Sequence, residues 1–280
     1  MADSRTMLNN LLYITWNVDP VALALGPVSV RWYGLCYAIG FIVGITLLAK
    51  MYKSEGCPDD WADKVLIYTI VATIIGSRLG HVFFYEWSYY SQHPAEIFMV
   101  WKGGLASHGG VIAIIISSLI LCKYVFHKTF LWFADRFMGP AVFVGAMIRL
   151  GNLMNSEIYG GVTSLPWGFK FLRDYPAGTP IELIPACHPT QLYEAGCYLI
   201  LFAVLMYMYW RTNARKQEGL ICGTAFAVFF TIRFLLEFIK NDQVAFEADM
   251  VLNMGQLLSI PFILMGVAFI IYSFKKPKQS

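Results

Sequence analysis

The chain has 280 residues, of which 58% are hydrophobic, 16% aromatic and only 14% charged. A soluble domain carries about a quarter charged residues, so this composition excludes an ordinary soluble protein. The net charge of +3 reads as membrane topology and calls for no nucleic-acid partner, and the six cysteines show no CxxC spacing that would support a metal centre or disulfide framework.

Residues 1–26 are mixed polar and apolar, with Asp3, Asn9, Asn10 and Asp19 interrupting any signal-peptide core. Apolar runs of bilayer length, about 20 residues, then recur seven times, at 27–49, 65–86, 104–125, 131–153, 189–210, 219–240 and 253–274. The expected fold is an all-α polytopic membrane protein, one integral membrane domain over residues 1–280 with seven transmembrane helices. Most connections are short. The exception is 154–188, where Pro166, Gly168, Asp174, Pro176, Gly178, Pro180 and Pro185 read as turns and short strands. Residues 161–186 are expected to form a small external cap between spans four and five. Cys36, Cys122, Cys197 and Cys222 fall in spans, as small apolar side chains.

With the N-terminus outside, the inner connections hold Lys50, Lys53, Lys64, Lys123, Lys128, Arg136, Arg211, Arg215, Lys216, Lys275, Lys276 and Lys278. The outer side holds Arg5, Arg31, Lys102, Lys170, Arg173 and Lys240. Twelve cations against six favour an external N-terminus and a cytoplasmic C-terminus. That orientation puts Cys57 inside and Cys187 outside, so these two cannot pair.

Arg78, Arg149 and Arg233 remain within or at the ends of spans. An arginine at the bilayer centre costs roughly 2.5–3.5 kcal/mol on insertion scales, so each should face protein, water or a ligand. In chain order, the polar clusters are Arg31-Trp-Tyr33-Gly, Gly76-Ser-Arg78-Leu-Gly80-His81, Ser107-His108-Gly109-Gly110 and Arg149-Leu-Gly-Asn152-Leu-Met-Asn155-Ser-Glu157-Ile-Tyr-Gly160. They continue with His188-Pro-Thr-Gln191-Leu-Tyr193-Glu194 and Arg233-Phe-Leu-Leu-Glu237. By the inferred topology all six lie in the outer half of the membrane. Singly, each has a structural reading: Arg233 and Glu237, spaced i, i+4, could neutralise each other, and Gly109-Gly110 could serve close helix packing. Their convergence on one layer argues for a ligand site.

The inventory of that layer defines the ligand. Arginine binds phosphate bidentately and keeps its proton, so Arg149 and Arg233, with Arg78 as a third, suit a phosphodiester at headgroup level. Histidine accepts and releases protons near neutral pH, which makes His108 the candidate acid or base. Asn152, Asn155 and Gln191 can bind hydroxyls. A phospholipid headgroup with a glycerol end fits better than an inorganic ion. A transporter would continue polar residues through the inner halves of its spans, yet 111–121 and 262–272 are almost wholly apolar.

These motifs resemble those of the phosphatidylglycerol–prolipoprotein diacylglyceryl transferases. The family pattern Gly-Arg-x-Gly-Asn-Phe-x-Asn-x-Glu-x-x-Gly is similar to the stretch from Ile148 to Gly160, with Ile148 and Leu153 replacing a glycine and a phenylalanine. His108-Gly109-Gly110, His188 to Glu194, Arg233 with Glu237, Trp32-Tyr33-Gly34 and Gly255-Gln256-Leu257-Leu258-Ser259 match further family motifs in order. Phe229, one turn before Arg233, stands where the resemblance leads one to expect tyrosine.

The resemblance implies a transferase of the bacterial plasma membrane that moves diacylglyceryl from phosphatidylglycerol to the lipobox cysteine of a prolipoprotein. It implies no metal or organic cofactor. It assigns His108, Arg149 and Arg233 to catalysis, and Tyr33, Arg78, Asn152, Asn155, Glu157, Gly160, His188, Gln191, Glu194 and Glu237 to substrate binding.

Overall fold

The computed structural model describes residues 13–26, 28–240 and 251–275; Arg5, Lys276 and Lys278 of the charge count lie outside them. Seven helices dominate: α1 Trp32–Ser54, α2 Trp61–Phe84, α3 Ser107–Leu121, α4 Phe130–Met154, α5 Thr190–Arg211, α6 Leu220–Leu236 and α7 Met254–Lys275. A π-helical turn carries α3 on to Phe126, and a 3-10 turn, Glu237–Ile239, closes α6. With those extensions all seven are long and apolar enough to cross a membrane. Helices pair most backbone groups internally, as the bilayer interior demands, with Pro140 and Pro261 interrupting the ladder in α4 and α7. Ile42, Ile70, Ile116, Ile200, Leu235 and Leu264 project from them exposed, the surface a lipid-surrounded protein presents. The chain is a multi-pass membrane protein.

Six of the seven spans fall within four residues of the sequence expectation. The first does not: expected from residue 27, α1 begins at Trp32. The residues before it pair instead. Strand β2 (Val21–Leu25) runs antiparallel to β3 (Val28–Arg31), with Val21 opposite Arg31. Gly26 turns between them at φ +58°, and the Trp32 amide donates to the Pro20 carbonyl at 2.9 Å. The alternation Val28-Ser29-Val30 has the period of a strand, and the apolar run concealed it. The connection between α2 and α3 is also longer than expected, holding the short helix Trp87–Tyr90 and the 3-10 turns Pro94–Phe98 and Val100–Lys102.

The chain divides into two compact units. In the unit formed by 45–137, α2 and α3 pack through glycine. A Cβ on Gly76 would stand 2.3 Å from that of Ala113, and one on Gly109 would stand 2.2 Å from the Gly76 carbonyl oxygen. Only glycine permits that approach. At one end of this unit Tyr52 stacks on Trp132 (5.7 Å) and Trp61 on Phe126 (4.2 Å). Arg136 is buried there, bonded to the Glu55 carboxylate at 2.9–3.1 Å and to the Trp132 carbonyl at 2.8 Å. Its guanidinium lies 4.2 Å from the Trp132 ring centroid. Removing one partner of a buried pair costs roughly 3–5 kcal/mol. Because Glu55 is partly exposed, Arg136→Ala should cost about 3 kcal/mol, the lower end of that range. Thermal unfolding in detergent checks this.

The other unit, residues 13–44 with 138–275, carries most of the polar motifs. Here α6 and α7 meet through Gly223 and Gly266, whose added Cβ atoms would lie 2.7 and 2.4 Å from the facing backbone. Between α4 and α5 the chain forms turns and one strand, β4 (Phe169–Phe171), parallel to β1 (Ile14–Trp16). Leu153, Phe169, Phe171 and Cys187 form a small core there with Trp16, Tyr159 and Leu192. The Trp16 indole donates to the Leu153 carbonyl at 3.0 Å, tying β1 to the end of α4. Tyr159 stacks on Phe171 (4.4 Å) and donates to Asp174. Burial, and then the Asp174 carboxylate, push its phenol above the ordinary range.

Candidate functional site

The polar site is built where α4 ends. Every residue of α4 is buried or half-buried, and its last turns carry Arg149 and Asn152 on one face, spaced i, i+3. The chain then reverses sharply, with Ser156 (φ +57°) and Ile158 (φ +60°) in the left-handed region. This reversal brings Glu157 back to the helix, where it accepts from Asn152 Nδ2 at 2.8 Å and Asn155 Nδ2 at 3.2 Å. The start of α5 fastens the turn from the other side. Gln191 Nε2 donates to the Glu157 carbonyl at 2.8 Å and Thr190 Oγ1 to that of Ile158 at 3.0 Å.

Gly160 closes this loop by bridging to Lys240, while its amide donates to the His188 carbonyl at 2.8 Å. A Cβ there would lie 2.4 Å from the Ile239 carbonyl oxygen and 2.7 Å from Thr190 Cγ2. Gly160→Ala is therefore expected to lower stability by about 1–3 kcal/mol, the usual range for overpacking. An unchanged melting temperature would show that the loop relaxes without cost.

Charge is arranged as a chain. Glu194, fully buried (0% exposed), lies 2.7 Å from Arg149 Nε and 2.8 Å from Lys240 Nζ. Lys240 also reaches Glu237 at 3.3 Å. Two cations and two carboxylates thus compensate one another. The i, i+4 pair that Arg233 and Glu237 could have formed is not made; Lys240 takes the carboxylate. The 3-10 turn Glu237–Ile239, in which residues i and i+3 eclipse, brings Lys240 over Glu237, while the Glu237 amide still donates to the Arg233 carbonyl as in an α-helix. Arg233 has no carboxylate partner among the described residues. A half-buried guanidinium left over within a membrane helix calls for an anion.

Neutral groups also stay open. Asn155 Oδ1 and Gln191 Oε1 are buried without hydrogen-bond partners, acceptors of the kind a ligand hydroxyl fills. Asn152 is engaged at both ends, its Nδ2 donating to Glu157 and its Oδ1 accepting from Arg149 Nη1 at 3.3 Å. Tyr33 packs on Gly151, where a Cβ would meet its ring at 2.8 Å. His188 Nδ1 lies 3.4 Å from the Tyr193 hydroxyl, which accepts from the Trp167 indole at 2.9 Å.

Direct contacts therefore join Arg149, Asn152, Asn155, Glu157, Gln191, Glu194 and Glu237, with Gly160, His188, Tyr33 and Arg233 in the same unit. Lys240 is the member that sequence reasoning missed. It counted only as an outer charge, and its partner Glu194 is 46 residues away. Its one local signal is the i+3 spacing from Glu237.

Arg78 and His108 belong to the other unit. Arg78 is buried and donates to the carbonyls of Ile97 (2.9 Å), Glu96 (2.6 Å), Gly103 (2.6 Å) and Gly104 (3.3 Å). Its guanidinium thus holds the 96–104 loop. His108, in the first turn of α3, is exposed, with the rings of Phe84 and Tyr85 at 5.4 and 5.7 Å.

Comparison with known proteins adds an independent line. Residues 20–272 match the family model for prolipoprotein diacylglyceryl transferase. The chain is 47% identical over 273 residues to the phosphatidylglycerol–prolipoprotein diacylglyceryl transferase of Porphyromonas gingivalis, covering 95% of this chain and 96% of that one. It is 43% identical to the protein of that name from Chloroherpeton thalassium, covering 94% of this chain and 96% of the relative. For the Tolumonas auensis protein of the same name the identity is 42%, over 93% of this chain and 98% of the relative.

Proposed function

This chain belongs to the prolipoprotein diacylglyceryl transferase family, and on that premise we propose that it transfers diacylglyceryl from phosphatidylglycerol to the lipobox cysteine of prolipoproteins. The lipobox thiolate sulfur attacks the glyceryl carbon that bears the phosphate. A carbon–sulfur bond forms, the carbon–oxygen bond to phosphate breaks, and glycerol phosphate leaves with the bonding pair. The thiol proton passes to His108.

The observation that carries this reading is Arg233, which has no carboxylate partner among the described residues, in the same unit as the paired Arg149, Glu194, Lys240 and Glu237. As the ester breaks, one further negative charge gathers on the departing phosphate, and guanidinium groups stabilise it where water is scarce. Arg149, whose Nη2 has no hydrogen-bond partner among the described residues, offers a second set of donors. Asn155 Oδ1 and Gln191 Oε1 receive the headgroup hydroxyls. Asn152, Glu157 and Gly160 hold the loop, Glu194 and Glu237 orient the cations, and Tyr33 and His188 line the substrate path. Arg78 shapes the loop before α3. The nucleophile belongs to the substrate, and the reaction needs no metal or organic cofactor.

The proposal places the protein in the bacterial plasma membrane, N-terminus outside and C-terminus cytoplasmic. Residues 161–186 then form an external cap. Depleting the protein from its own bacterium should leave prolipoproteins unlipidated in the membrane. Undiminished incorporation of labelled fatty acid into lipoproteins in depleted cells would contradict the assignment.

A further inference from the structure

One group beside this site has no role in the scheme above. Tyr198, on α5 one turn after Glu194, is 1% exposed, and its hydroxyl is buried without a hydrogen-bond partner. A buried hydroxyl left unpaired is costly, and native structures keep few of them. Its ring lies against the position of Gly145, where a Cβ would be 3.7 Å away, one turn before Arg149 on α4. The same ring stacks on Phe229 (4.4 Å, 21°), one turn before Arg233 on α6. Tyr198 therefore sits where three helices meet, one turn from the polar layer on each.

Arg149 is held loosely above it. The guanidinium is 2.7 Å from Glu194 Oε2, yet that oxygen receives no well-directed hydrogen bond. Its contact with Asn152 is long, at 3.3 Å. It also approaches the Tyr198 hydroxyl, again without a hydrogen bond of normal geometry. One guanidinium thus stands among three oxygen acceptors and satisfies none of them well.

We propose that Tyr198 is a positioning residue for Arg149: its hydroxyl accepts a hydrogen bond when the guanidinium turns from Glu194 to meet the phosphate of the lipid substrate. Resting on the transferase reading, this explains why a phenol is kept at a place where phenylalanine would pack equally well. An acceptor there fixes one edge of the guanidinium and leaves the opposite edge for the anion. The bond forms when the guanidinium meets the phosphate and strengthens as further charge develops there, so it acts on turnover of the lipid and not on peptide capture.

The test compares wild type, Tyr198→Phe, Arg149→Lys and the double variant, with phosphatidylglycerol in detergent micelles and a lipobox peptide. Tyr198→Phe should lower kcat about ten- to a hundredfold, the size of one hydrogen bond to a charged group. KM for the peptide should be unchanged and the melting temperature equal or higher. In the Arg149→Lys background, which lacks the planar fork, the same change should alter kcat less than about twofold. Unchanged kcat in the single variant overturns the proposal, as do additive effects in the pair or a fall in kcat that tracks a lower melting temperature. An inactive wild type overturns the transferase reading instead.

Discussion

Arg149→Ala is expected to lower kcat/KM for transfer by about 10²–10³-fold, equivalent to roughly 3–4 kcal/mol, the usual loss when one preorganised donor to a developing anion is removed. The fold should survive, because Glu194 keeps Lys240 at 2.8 Å and Glu157 keeps both asparagines. The buried carboxylate loses one partner, at about 1–3 kcal/mol of stability. Arg149→Lys keeps the charge but loses the planar fork, so its activity should fall between wild type and the alanine variant. Initial rates with phosphatidylglycerol and a lipobox peptide, beside melting curves, separate the two effects. Full activity in a folded Arg149→Ala protein would remove this arginine from the chemistry.

His108→Ala should cost about 10²–10⁴-fold at neutral pH, the range for loss of a general base. His108 is exposed, so stability should change little. The sign of the pH dependence is the sharper check. A free cysteine thiol ionises near pH 8.5, so above about that pH the substrate supplies its own thiolate and the base becomes redundant. The variant's deficit should shrink as pH rises through that range. A deficit constant from neutral to alkaline pH would mean that His108 binds lipid and does not take the proton.

Much of the fold was legible because a bilayer imposes one length on every span. The exception is instructive. Val28 and Val30 are as apolar as the helix that follows, so hydropathy ran the first span back over a strand whose period of two it averages away. The 85–106 connection escaped notice for a related reason. Trp87, Phe98 and Trp101 are exposed and apolar, yet they sit in short helical turns between spans.

The candidate site was legible as an inventory more than as a geometry. The spacing of Arg149 and Asn152 put them on one helical face. Nothing local shows that Glu157 folds back to bind both asparagines, which depends on left-handed backbone at Ser156 and Ile158, neither of which is a glycine. The i, i+4 spacing of Arg233 and Glu237 allowed a pair that the structure does not make, although α-helical backbone runs between them. The 3-10 turn Glu237–Ile239 brings Lys240 to that carboxylate, and Arg233 has no carboxylate partner among the described residues.

The most direct measurement is the intact mass of a lipobox peptide after incubation with the purified protein and phosphatidylglycerol. The predicted result is a gain of one diacylglyceryl group on the cysteine, which then resists thiol alkylation, with glycerol phosphate released in equal amount. A peptide of unchanged mass beside intact phosphatidylglycerol, with the protein folded and lipid supplied, would contradict the account.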